Sequence, residues 1–277
     1  MLNKLIRKSF VSIFSVATAI SCLSANATIV EFQTSQGNIH VNLFDEETPE
    51  TVTNFLAYIE DGAYTDSFFH RSIANFIIQS GGFTVSGTEV SPITENAPVV
   101  NEPIFSNIEG TIAMAKIAGD PDSATSEWFF NLTDNSANLD LQNDGFTVFG
   151  QVITEGDDGV ETLATLDAIA NVTTCNAAGF SDLPLVDYSC NSDSAPSQEN
   201  FITINQVVII DSSASTAQNL TPVRNTLREP DVEPEPEVEP EPEVAPETPS
   251  NSSGGSVFWM LVVLATGLSA RLFSRKS

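Results

Sequence analysis

Apolar and polar positions alternate from Ile29 to Thr34 and again from Ile39 to Phe44, with Gln36-Gly37-Asn38 between the two runs. Period-two alternation around a glycine-containing turn predicts a β-hairpin with one face buried. The period then changes. Val52, Phe55, Leu56 and Ile59 recur at helical spacing, and Thr48-Pro49-Glu50 offers a cap, a proline preset for the first turn and an acid near the positive end. Gly62 ends that helix. Short strand-like runs are predicted at 67–70, 76–80, 111–115, 127–132 and 146–153, a second helix at about 159–169 and a last strand at 201–210. Many strands with two helices among them point to a mainly β domain, a closed or nearly closed barrel with helices over its ends. Pattern alone leaves the order of strands open.

Outside residues 28–211 the pattern is different. Lys4, Arg7 and Lys8 precede an apolar run from Phe10 to about Leu23, which closes on Ala25-Asn26-Ala27. That order predicts a cleaved export signal over 1–27. The apolar core is too short to span the ~30 Å hydrocarbon layer. Acylation at Cys22 is the alternative, although Ala19-Ile20-Ser21 matches a lipobox poorly. Residues 212–253 carry an acidic Pro/Glu repeat that cannot build a core and is expected as a disordered linker. In polyproline II form, at ~3.1 Å per residue, about 20 residues would reach on the order of 60 Å. Residues 254–277 join Gly254-Gly255 to an apolar stretch, Val257 to Ala270, and a basic end with Arg271, Arg275 and Lys276. This tail is similar to the Gly-Gly C-terminal sorting signal of some Gram-negative bacteria, which a rhomboid-type protease cuts. An ordinary single-pass anchor is the alternative. Either way the C-terminal segment is expected to contact a membrane, with its basic end cytoplasmic and the domain periplasmic, surface-held or secreted.

Charge narrows the partners. Between Thr28 and Asp211 there are 28 acidic residues and two basic ones, Arg71 and Lys116, within a chain of net charge −27. Such a surface repels nucleic acid and anionic lipid. It also singles out the lone arginine as a candidate functional residue rather than surface decoration. Cys175 and Cys190 are the thiols left after loss of a leader, and in an exported chain they read as one disulfide, with two free thiols as the alternative. No CxxC motif, zinc spacing or His/Cys/Asp cluster is present, so neither a metal nor another cofactor is expected.

The chemistry concentrates in one phrase. Phe69-His70-Arg71 is followed by Phe76-Ile77, Gln79 and Gly81-Gly82. Gly110-Thr-Ile-Ala-Met-Ala115, Ser123-Ala-Thr-Ser-Glu-Trp-Phe-Phe-Asn131 and Phe146-Thr-Val-Phe-Gly150 come after it in order. In these four phrases residues 28–211 resemble the cyclophilin family of peptidyl-prolyl cis/trans isomerases. The resemblance implies a closed eight-stranded antiparallel β-barrel capped by two helices. It also implies rotation about X-Pro bonds in exported proteins as they fold, without a covalent intermediate.

Those residue types suit that task. Twisting an X-Pro amide breaks resonance against a barrier of ~18–20 kcal/mol, and no bond to substrate is made or cut. A donor aimed at the prolyl nitrogen, whose lone pair appears as the bond twists, acts on the transition state alone. By the resemblance Arg71 is that donor and Gln79 steers it. Phe76, Ile77, Phe129 and Leu139 should line a slot for the proline ring, with Phe146 on its rim and Ala115 and Lys116 against the substrate. Glu127 stands where the family usually has Gln beside the pocket. It is expected to pair with Arg71 and hold it; competing with substrate for the guanidinium is the alternative. Asn138 occupies a position where many members have Trp, which implies poor cyclosporin binding. His70 is expected to be a hydrogen-bonded structural residue and His40 a surface side chain. The expected partners are proline-containing segments of exported proteins, met by a monomer. A proline-binding module or chaperone with little turnover is the rival reading, kept alive by Glu127.

Overall fold

A computed structural model describes residues 28–213, 220 and 222–227. The expected leader, most of the linker and the C-terminal tail lie outside the described residues. Among those described, no helix is long and apolar enough to cross a membrane.

The chain runs through β1 (Ile29–Thr34), β2 (Gly37–Leu43), α1 (Pro49–Glu60), β3 (Ser67–Phe68), β4 (Arg71–Ile73), β5 (Ile77–Ser80), β6 (Phe83–Ser86) and β7 (Glu89–Pro92). It continues through β8 (Thr111–Met114), β9 (Trp128–Asn131), α2 (Ser136–Leu139), β10 (Val148–Val152), α3 (Gly156–Ala170), β11 (Thr174–Ala177), β12 (Phe180–Pro184) and β13 (Thr203–Asp211). The first hairpin forms as its alternation requires, Phe32 opposite Ile39 and Val30 opposite Val41. Eleven strands share one sheet in the order β4-β5-β9-β8-β10-β2-β1-β13-β3-β6-β7, while β11 and β12 pair apart.

This mainly β architecture corrects the closed eight-stranded barrel with two helices. The order is open, and α2 adds a short third helix. The reason lies between Ser67 and Ile73. That run is one extended stretch interrupted at Phe69-His70, and its halves pair on different flanks, β3 with β13 and β4 with β5. At the interruption the Phe69 amide donates to the Ile202 carbonyl (3.1 Å) and the His70 amide to the Gln79 carbonyl (3.0 Å). The hairpin β6–β7, which continues the order past β3, was not among the expected strands, although Phe83-Thr84-Val85-Ser86 alternates and Phe83, Val85 and Val90 join one apolar cluster with Phe68.

Inside the sheet lies an aromatic core. Phe32 packs against Trp128 (4.9 Å between ring centroids) and Phe130 (5.7 Å), and Phe55 of α1 against Phe149 (5.0 Å). A second cluster, holding Phe44, Ile77, Phe105, Ala113, Phe129, Leu139 and Val148, lies on the other side of β8 and β9. The helix α3 packs on β2, so both faces of that strand are covered. This corrects His40. It is buried, its Nε2 lies 2.8 Å from Glu31 Oε2, and its amide donates to Thr162 Oγ1 of α3 at 2.9 Å.

The start of α1 is also held differently from its sequence signature. Thr48 takes the cap position, but its hydroxyl donates back to the Phe44 carbonyl, 3.1 Å away. The orphan amides of the first turn are satisfied from a distant loop, where Glu102 accepts from Thr51 N–H at 2.9 Å and Thr51 Oγ1 at 2.7 Å. A carboxylate there also favours the positive end of the helix dipole. Glu102→Ala is expected to cost about 1 kcal/mol, the usual worth of a cap, whereas Thr48→Ser should cost less. Urea denaturation of both variants checks this; a larger loss at Thr48 would contradict it.

Two further segments matter to the site. Cys175 and Cys190 are joined by a disulfide. The hairpin β11–β12 that it ties packs against β4, with Phe180 edge-on to Phe68 and Phe83 (ring centroids 5.7 and 4.9 Å apart). Beyond β13, residues 222–227 lie along 104–106. Ser106 N–H donates to the Val223 carbonyl (2.8 Å), Asn225 N–H to the Ile104 carbonyl (2.9 Å), and the Arg224 guanidinium sits 5.8 Å from the Phe105 ring centre.

Candidate active site

Three residues stand side by side across adjacent strands. Arg71 on β4 is paired with Gln79 on β5, and Gln79 with Phe129 on β9. Phe129 is in turn paired with Ala113 on β8. Since alternate residues of a strand share a face, Phe129 opens outward while Trp128 and Phe130 fill the inner core.

The outward face carries a cleft of about 640 Å³. Arg71, Gln79, Phe76, Ile77, Ala115, Lys116, Phe129, Leu139 and Phe146 all line it. Its apolar floor is Ile77, Phe129 and Leu139, each buried from solvent. Phe146 closes one side edge-on to Phe129, centroids 5.7 Å apart. The Lys116 ammonium is turned onto that rim. It donates to the Asn143 carbonyl (2.8 Å) and the Gly145 carbonyl (2.6 Å) and lies 5.0 Å from the Phe146 ring centre.

Behind the floor a buried polar network fixes the wall. Asp140 Oδ1 accepts from the Asn107 amide (2.7 Å) and side chain (3.0 Å), and Asn135 Nδ2 donates to the Phe76 carbonyl at 2.9 Å. Asn225, from the segment beyond β13, donates to the Asp140 carbonyl at 3.0 Å. Unpaired, such groups would each cost ~1–3 kcal/mol; paired, they hold Leu139 and Phe76 in place.

Glu127 is the one expected site residue that does not line the cleft, and it does not pair with Arg71. Its Oε2 accepts from Gln79 Nε2 at 2.6 Å and lies 3.5 Å from His70 Nε2. Gln79 Oε1 accepts from Arg71 Nη1 at 3.4 Å. The carboxylate therefore reaches the arginine only through the amide. His70 is held between the rings of Phe83 and Phe180, 5.3 and 5.9 Å away. Among the described residues no carboxylate forms an ion pair with Arg71.

Burial pushes the Glu127 carboxyl up, but the hydrogen bond and charge of His70 and the hydrogen bond from Gln79 outweigh it, and the net direction is down. The sign follows. With the folded value below the unfolded one, the contribution to stability is present above the ordinary value of 4.5 and lost as pH falls through the lowered value. Denaturation midpoints of wild type and Glu127→Gln should differ at pH 7 and converge as the pH falls below 4.5 and through the lowered value. A gap that widens as the pH falls would contradict the assignment.

Ala118, Gly119, Asn138, Gln142 and Asn143 also line the cleft. Of these, Asn143 had a signal. Asn143, Asp144 and Gly145 have φ of +53°, +61° and +74°, a left-handed run suited to Asn, Asp and Gly. A second cleft of about 570 Å³ lies against α3, between Gly110, Asn131 and Leu166; it contains none of the expected site residues.

Comparison with known proteins identifies the family. A family model described as cyclophilin type peptidyl-prolyl cis-trans isomerase/CLD matches residues 29–184. A peptidyl-prolyl cis-trans isomerase of Streptomyces antibioticus is 41% identical over 162 residues, covering 56% of this chain and 91% of that protein. Peptidyl-prolyl cis-trans isomerase B of Escherichia coli is 37% identical over 165 residues, covering 57% and 94%. A peptidyl-prolyl cis-trans isomerase of Acinetobacter baylyi is 37% identical over 168 residues, covering 58% and 84%.

Proposed function

Because the chain belongs to the cyclophilin-type peptidyl-prolyl cis-trans isomerases and carries that activity, we propose that Arg71 is its catalytic donor and the cleft beside it the proline site. The observation that carries this reading is the convergence of nine expected residues on one cleft, with a single guanidinium beside an apolar floor.

The proline ring sits on Ile77, Phe129 and Leu139, with Phe76 and Phe146 at its sides. The residues before and after it pass Ala115, Lys116 and Arg71. As the X-Pro bond twists, nitrogen loses conjugation and gains a basic lone pair, and the guanidinium donates to it. An arginine suits this because its charge is permanent and its donors are fixed in a plane. A rate gain of about 10⁴ requires about 5.4 kcal/mol, within reach of one charged donor in a partly dry cleft together with positioning. No nucleophile or proton transfer takes part.

The rival, a binding module with little turnover, rested on Glu127 quenching Arg71. Its contact with Gln79 instead removes that support. A protease-coupled assay on an X-Pro peptide tests the reading: wild type should accelerate the slow phase that follows cleavage of the trans fraction, in proportion to enzyme, and binding without acceleration would overturn it.

The domain of residues 28–211 is proposed to work on proline-containing segments of exported proteins, as a monomer. Residues 1–27 would direct export, 212–253 would space the domain from the membrane, and 254–277 would anchor or sort it. The basic leader, the acidic proline repeat and the Gly-Gly-apolar-basic order support this. Intact mass of protein from cells and from medium reads both processing sites together.

A further inference from the structure

We propose that Glu127 is a positioning residue that fixes the orientation of the Gln79 amide, so that the oxygen of that amide faces Arg71. This rests on Arg71 being the catalytic donor.

A glutamine amide offers two donors on nitrogen and an acceptor on oxygen, and its two orientations differ little in shape. Only one of them suits Arg71. If nitrogen faced the guanidinium, donor would meet donor and the arginine would be pushed off the cleft. A carboxylate at 127 removes the ambiguity because it only accepts. It takes Gln79 Nε2 at 2.6 Å, and Gln79 Oε1 is thereby left for Arg71 Nη1 at 3.4 Å. A neutral amide at 127 would accept either arrangement. The amide is also an insulator. It holds the arginine through a neutral group, so the guanidinium keeps its donors and charge for the substrate.

The seat of the carboxylate is built. A side chain at Gly82 would collide with Glu127, its Cβ meeting Oε1 and lying 2.8 Å from Cδ. The three heavy atoms nearest that missing Cβ all belong to Glu127, so the notch at Gly82 is the space the carboxylate occupies. His70 Nε2, 3.5 Å away, closes the other side, itself buried between Phe83 and Phe180. The backbone of Glu127 is fixed too, its carbonyl accepting from Ala115 N–H at 2.9 Å. The unit Gly82–Glu127–Gln79–Arg71 thus runs from a backbone notch to the reacting centre.

The test is a double-mutant cycle in kcat and KM on an X-Pro peptide, with circular dichroism confirming each fold. Glu127→Ala and Gln79→Ala should each lower kcat about five- to tenfold with KM within twofold, the size expected for a lost steering hydrogen bond. In the Gln79→Ala background, Glu127→Ala should add nothing, because its effect passes through the amide. Gly82→Ala keeps the carboxylate but displaces it, and should act as Glu127→Ala does, again only when Gln79 is present. Glu127→Gln should fall between wild type and Glu127→Ala. Effects of Glu127 and Gln79 that multiply, or a Glu127→Ala enzyme with unchanged kcat, would overturn the proposal. Arg71→Ala, measured alongside, separates the two levels: full activity there would defeat the reading of the site itself, whatever the cycle gives.

Discussion

Arg71→Ala is expected to lower kcat/KM by about 10²- to 10³-fold, the usual effect of removing one preorganised donor from a transition state. The loss should fall on kcat. The apolar floor that grips the ring is formed by other side chains, so KM should stay within a few-fold of wild type. Stability should barely change, since the guanidinium has a single amide contact and, among the described residues, no carboxylate partner. Arg71→Lys is the informative companion. It keeps the charge but replaces a planar fork with a point donor on a flexible stem, and should recover only part of the rate. A protease-coupled assay gives both numbers. A rise in KM with kcat intact would mean that the arginine binds the peptide without serving its twist.

The second large effect separates two neighbours on one strand. Phe130 is fully buried and touches Phe32 and Trp128, with centroids 5.7 and 5.4 Å away. Removing its ring is expected to cost about 3–5 kcal/mol, transfer and cavity together. In a domain of this size that lowers Tm by on the order of 10 °C. Below the transition the enzyme that remains folded should turn over normally. Phe129 faces the cleft, so Phe129→Ala should raise KM about tenfold or more, the loss of one buried aromatic contact with the proline ring. It also loosens the second cluster, but less than Phe130→Ala loosens the main core. Thermal melts and kinetics on the two variants would expose an error of strand register at once, because a one-residue slip exchanges their phenotypes.

The local half of this architecture was legible in the sequence. The β1–β2 hairpin and α1 follow from period and punctuation, and the phrases around Arg71, Phe129 and Phe146 converge on one cleft because β4, β5 and β9 pair side by side. What escaped is long-range. Nothing near Thr48 says that Glu102 will cap the helix it begins, and nothing near His40 says that α3 will cover it. The open strand order depends on a two-residue break at Phe69-His70 that periodicity does not mark. Glu127 was recognised as a departure beside the arginine, but its partner is decided by which of two groups lies nearer in space. The notch at Gly82 decides that, and a glycine in sequence does not say what will fill it. Likewise the run 222–227, six residues with neither strand nor helix period, reads as linker, yet it lies along 104–106 through backbone pairing and the contact of Arg224 with Phe105.

The most direct measurement is two-dimensional exchange NMR of an X-Pro peptide with catalytic amounts of isotope-labelled protein. If one guanidinium beside an apolar floor does the work, cis–trans cross-peaks will appear with wild type and vanish with Arg71→Ala. Peptide-induced shifts will then concentrate on Phe129, Ala115 and the side-chain amide of Gln79 in both proteins. Cross-peaks that survive the substitution, or shifts gathered instead at the cleft against α3, would contradict it.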